Sequence, residues 1–264
     1  MSGGAAMTTS ASAPRMSLWR LEWLRLFRTP RALALGAVFV AMGLIEPAFT
    51  KYASTLLRHV GHGARISVPP PTAADGLNSY VSEATLVGLV LLVILAAGAL
   101  GFDAKPGLAT FLRTRVASIW QLITPRFTAY AVAGASAYLL GTLAAWFETW
   151  QLIGPLPVAG LLGGVLCGSV YLVFAVAVTA FAAGLGRGTL AAAGIAFMIL
   201  LAVPILGTIS AISNWLPSAL ISAPADLADG THQLPHFLPP LCVTVAASVV
   251  ALVLAAWRLR SREI

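Results

Sequence analysis

Charge is what this chain has least of: Asp, Glu, Lys and Arg together make 9% of its 264 residues, against roughly a quarter in soluble domains. With 59% hydrophobic residues beside that scarcity, a soluble globular domain is excluded, and an all-α polytopic membrane protein is expected. Cysteine is nearly absent. Cys167 and Cys242 both fall in apolar runs, so no disulfide framework is readable and both behave as small core residues. Catalytic signatures are missing as well: there is no Gly-x-Ser-x-Gly elbow, no His-Glu-x-x-His and no Gly-x-x-x-x-Gly-Lys-Ser/Thr phosphate loop. Gly184, Gly186 and Gly188 around Arg187 lack the lysine and the preceding strand, and read as a tight turn. The chain is therefore expected to be no enzyme and to hold no cofactor of its own. Residues 1–14 are small and polar with no apolar h-region, which predicts a disordered leader over 1–16 in place of a signal peptide, followed by a single domain over 17–264.

What is present is apolar sequence in long runs. About 20 residues of helix cross a hydrocarbon core of about 30 Å. Six stretches qualify, approximately 32–49, 84–102, 127–147, 158–183, 190–212 and 241–257. Before them, Trp19, Trp23, Leu26 and Phe27 recur at helical spacing on one side of Ser17–Thr29, with Glu22, Arg25, Arg28 and Thr29 largely on the other. This pattern predicts an amphipathic helix lying at the membrane interface, its indoles in the headgroup layer and its arginines near anionic lipid.

The formal charge of +7 needs no nucleic acid to explain it. With six spans and an N-terminus on the cytoplasmic side, 13 of the 16 basic residues fall inside, leaving Lys51, Arg58 and Arg65 outside. The inner side then carries 13 basic against 3 acidic residues and the outer side 3 against 6. That asymmetry meets the positive-inside rule and predicts a multi-pass protein of the cytoplasmic membrane with both termini cytoplasmic.

Few residues stand out within this frame. Glu46, followed by Pro47, falls in the outer part of the first span. An intramembrane carboxylate is a pathway candidate by default; the bland alternatives are snorkelling to the interface or a pair with Lys51. Pro204 predicts a kink in the fifth span, a weaker pathway candidate. Gly160, Gly164 and Gly168 in the fourth span form a close-approach series, for packing within one subunit first and a dimer contact second. The four histidines, His59, His62, His232 and His236, all fall in predicted outer loops. Imidazole suits Zn, Cu and Fe, but Pro235 breaks any helical face for the second pair and solvated loop histidines are the simpler reading. Three consecutive prolines, 69–71, exclude continuous helix there, so 50–82 reads as a cap or loop. Residues 213–237 are too polar and proline-rich to cross, although the core SALISA, residues 218–223, reads as a shallow helix at the outer interface.

The most informative stretch is Gly101–Arg126, GFDAKPGLATFLRTRVASIWQLITPR, a basic and partly apolar interruption between two apolar runs. It is expected to face the cytoplasm, where Phe111 and Leu112 give a soluble partner something to bury. Together with the N-terminal helix, six spans and a re-entrant segment before the last, it resembles the permease subunits of type-2 ABC transporters (the ABC-2 class of exporters) over roughly 17–263. Asp103 stands at that family's acidic position, Gly107 at its glycine, Phe111 and Leu112 at its apolar pair, and Arg126 at its closing basic position, with Arg113 between. Leu108 replaces the usual threonine, and Arg115 stands where proline is common. The resemblance implies a cytoplasmic coupling helix in this loop and an ABC ATPase subunit as partner, with ATP and Mg bound there. It also implies a second permease subunit, identical or not, and export of a hydrophobic or amphipathic substrate such as a lipid, peptide or drug-like molecule. The rival readings are a metal- or haem-related membrane transport subunit and a membrane-embedded enzyme.

Overall fold

In the computed structural model, residues 18–60, 70–101 and 118–261 are described. The leader and most of the loop after the second span, with Asp103, Gly107, Phe111, Leu112 and Arg113, lie outside the described residues, as does His62. The chain is all-helical among the described residues, and six of its helical stretches are long and apolar enough to cross a membrane.

Helix α1 (Leu18–Arg28) is followed, after Thr29, by α2 (Pro30–Val60), with proline at the first helical position where its missing N–H costs nothing. Helix α3 (Ala73–Glu83) and α4 (Leu89–Leu100) are joined by a π-helical turn, Ala84–Gly88, into one span. Then come α5 (Trp120–Leu152), α6 (Val158–Leu185) and α7 (Thr189–Leu206). A short helix α8 (Ala219–Asp229) precedes the last span, α9 (Leu238–Ser261), with 3₁₀ turns at Ser213–Trp215 and Leu234–Phe237.

The helices run beyond several expected span boundaries, the third covering Trp120–Leu152, and three differences bear on the site. The second span starts at Ala73, not near residue 84, because Thr72 and Asp75 form a reciprocal capping box: the Thr72 backbone N–H donates to Asp75 Oδ2 at 2.8 Å, and the Asp75 N–H donates to Thr72 Oγ1 at 3.3 Å. With α2 reaching Val60, most of what read as an outer loop over 50–82 is helix. The fifth span ends at Leu206, two residues after Pro204, so the proline sits in a closing turn.

Helix α6 is the hub, in contact with α4, α5, α7, α8 and α9. Its glycine series is spent within the subunit. A side chain at Gly160 would meet the Leu227 carbonyl of α8, one at Gly164 would meet Pro224, and one at Gly168 would meet the Tyr138 ring of α5. Elsewhere, too, aromatics and backbone are seated on glycine: Phe39 lies over Gly88, and Gly43 of α2 abuts the Gly141 carbonyl of α5. Helices in lipid have no hydrophobic drive to associate with one another, so such close backbone approach and dispersion hold them together. Tyr80, fully buried, donates to the Tyr138 carbonyl at 3.2 Å and stacks on the Tyr138 ring. This satisfies a hydroxyl that would otherwise be stranded in hydrocarbon.

Six spans place the start of α2 and the end of α9 at the same end of the bundle, here termed the basic end. The opposite, distal end carries the α5–α6 connection, α8 and both 3₁₀ turns.

Candidate functional site

At the basic end the geometry centres on Arg126, nearly two turns into α5. Its Nε donates to Glu22 Oε1 of α1 at 2.8 Å and its Nη1 to the Ala99 carbonyl of α4 at 2.9 Å. Ala99 lies in the last turn of α4, where carbonyls lack helical partners and the helix end favours a cation. Both side chains are nearly buried, at 12% and 11% exposure. The junction therefore ties α1, α4 and α5 together at the base of residues 102–117. A second tie runs from Arg31 Nη1 of α2 to the Tyr130 hydroxyl of α5 at 3.1 Å. Glu22 thus faces inward and not, as the periodicity suggested, along the polar face of α1. On that helix Trp23 stacks on Phe27, Trp19 is half exposed, and Arg25 and Arg28 are exposed. This is the arrangement an interfacial helix needs.

At the distal end, α3, the end of α7, α8 and the turn before α9 enclose an open chamber of about 620 Å³, within the range of small-molecule sites. Its polar lining includes Asn78 and Ser82 from α3, Ser213 and Asn214 from the first 3₁₀ turn, and Asp226 from α8. His232 and His236 complete it. Although Pro235 lies between them, the 3₁₀ turn stacks their rings at 4.3 Å, with His236 edge-on to buried Phe237 at 5.3 Å. Among the described residues, no group of three or more His, Cys, Asp and Glu is placed to hold a metal ion. His59 has a helical backbone in α2, and its side chain is outside the described residues.

Pro204 borders the chamber, as do Ser82 and Ile221, and all three also line an apolar groove of about 190 Å³ between α4 and α7. Leu86, in the π-helical turn, and Leu201 line the groove at 62% and 61% exposure. A π-helical turn interrupting a span is a frequent mark of a functional position. Sequence reasoning missed Ser82 and the groove because α3 read as loop, and the Thr72–Asp75 capping pattern was the signal that would have extended the helix; Asp226 was passed over within the polar, proline-rich stretch 213–237.

Glu46 lines neither space. It lies on α2, electrostatically coupled to Glu83 at the end of α3. Lys51, weighed as its partner, donates to the Leu152 carbonyl instead. One turn on, the Thr50 hydroxyl reaches Ser79 Oγ at 2.8 Å. α8, expected to lie shallowly at the interface, is docked into the bundle: Leu220, Ala223, Pro224 and Leu227 are buried against α6 and its neighbours.

The chain is similar to the uncharacterized transmembrane protein YxlG of Bacillus subtilis (strain 168), with 19% identity over 252 residues, which is 94% of this chain and 98% of that protein. No family model matches the chain, and no solved structure matches it. End-to-end similarity to a transmembrane protein agrees with six apolar helices: this is a multi-pass membrane protein with the build of a transporter.

Proposed function

We propose that the chain is the permease subunit of an ATP-driven exporter of the ABC-2 class, moving a hydrophobic or amphipathic substrate across the cytoplasmic membrane with both termini cytoplasmic. The observation that carries the reading is the Arg126 junction. The segment 102–117 enters from α4 and leaves into α5, and Arg126 joins the ends of both to α1. A force applied to that segment by a soluble partner is delivered to three helices at once. The chain has no phosphate loop, so ATP and Mg belong to a separate ATPase subunit, and the permease is not itself an enzyme. A second permease subunit pairs with it in the membrane. The chamber at the distal end and the groove beside it supply space for an amphipathic cargo.

The test is association with an ATPase that carries a phosphate loop. Phe111→Asp puts a charge where a soluble partner would bury an apolar side chain, and it is expected to leave membrane insertion intact while ATPase association and transport are lost. Undiminished co-purification of the ATPase with that variant overturns the docking assignment. The stacked His232 and His236 favour one second reading, a metal-linked transport subunit. Zinc or copper titration of the purified chain, with and without His59, His62, His232 and His236, separates the two: the permease reading predicts no saturable binding that depends on those residues.

A further inference from the structure

We propose that the chamber and the groove are two halves of one binding site for a single-tailed amphiphile with a cationic amine head, taken sideways from the membrane; this rests on the exporter reading above. Two observations lead there independently. The first is continuity: Ser82, Pro204 and Ile221 line both spaces, so a volume of about 620 Å³ with a mixed polar and apolar lining adjoins an almost wholly apolar one of about 190 Å³. The groove side is open to lipid, since Leu86 and Leu201 are both more than half exposed. An apolar tail lies there without leaving hydrocarbon, while a polar head at the same depth meets hydroxyls and amides in place of acyl chains.

The second observation is the sign of the charge. Among the described residues, the chamber lining holds the Asp226 carboxylate and no lysine or arginine. Asp226 has no ion-pair partner among the described residues. It sits in the last turn of α8, which ends at left-handed Gly230, and the C-terminal end of a helix favours a cation. An ammonium has three N–H donors and no acceptor. The carboxylate, hydroxyl and amide oxygens of the lining can all accept from it, whereas an anionic head would find, among the described lining residues, no lysine or arginine but only the stacked imidazoles of His232 and His236.

The experiment is isothermal titration of dodecylamine, dodecanoate and dodecanol into the purified chain in lipid nanodiscs without ATPase, against empty nanodiscs. Dodecylamine is expected to bind about tenfold or more tighter than either tail-matched control, the scale of one charge-assisted hydrogen bond. Asp226→Asn is expected to abolish that preference and Asp226→Glu to restore it, with unchanged thermal unfolding in both. Leu201→Trp, which fills the groove, is expected to weaken all three ligands together. Equal binding of amine and carboxylate, or an unaltered preference in Asp226→Asn, overturns the proposal. So does a Leu201→Trp chain that binds dodecylamine as before but no longer pairs with a second copy, because the groove is then a subunit contact. Because no ATPase is present, failure here leaves the exporter reading standing, and loss of ATPase association in a separate pull-down leaves the binding site standing.

Discussion

The two ends of the bundle treat charge in opposite ways. At the basic end, Arg126 spends its guanidinium on Glu22 and on the Ala99 carbonyl, and both charged side chains are nearly buried. At the distal end, Asp226 lines an open chamber with no ion-pair partner among the described residues. A charge paired within the chain fixes the relative position of the helices it joins, and removing one member leaves the other stranded. A charge left unpaired in a cavity keeps its interaction available for something that is not part of the chain. On the proposed reading, mechanical linkage falls to the first end and recognition to the second.

The sharpest way to break this division is in the segment between α4 and α5. Phe111→Asp is expected to abolish transport and ATPase association together, measured in proteoliposomes and by co-purification, with membrane insertion unchanged. Next in size is the junction itself. Arg126→Leu leaves Glu22 uncompensated and is expected to cost about 3–5 kcal/mol, read as a lowered unfolding midpoint in detergent, while Glu22→Leu combined with Arg126→Leu recovers most of the loss. If the double variant is no more stable than the single one, the pair is not the tie it is taken for. Smaller again is Gly141→Ala. Its added carbon would meet the Tyr80 hydroxyl and the Phe39 carbonyl, and overpacking of this kind costs about 1–3 kcal/mol. Because the strain falls between the two ends, unfolding is expected to shift while ATPase association and ligand preference hold. Smallest is Glu46→Gln. Since Glu46 lines neither the chamber nor the groove, transport is expected to stay within about a factor of two of the unaltered chain. A changed substrate range would return Glu46 to the pathway.

Much of the architecture was legible in the sequence because lipid imposes a simple rule. Every backbone polar group must be satisfied locally, so length and hydropathy mark the spans. Where polar residues are tolerated inside a span, the rule weakens. Asp75, Asn78, Ser79, Ser82 and Glu83 lowered the hydropathy of α3 enough to hide it, although Thr72 and Asp75 announced its start. Partners far apart in sequence left no trace: Glu22 and Arg126 are 104 residues apart, and an isolated opposite-charge pair has no periodicity to reveal it. The glycine series on α6 predicted close approach but not what approaches, which proved to be α8 backbone at Gly160 and Gly164 and a tyrosine ring at Gly168. His232 and His236 meet because the turn around Pro235 is 3₁₀, a geometry that α-helical spacing arguments do not anticipate.

The division of labour between the ends is tested most directly by one crossed measurement, in which Phe111→Asp and Asp226→Asn are each assayed for ATPase co-purification and for dodecylamine binding. The account predicts that Phe111→Asp loses the ATPase and keeps the amine preference, and that Asp226→Asn keeps the ATPase and loses the preference. Loss of both properties in either variant, with the fold intact, would contradict it.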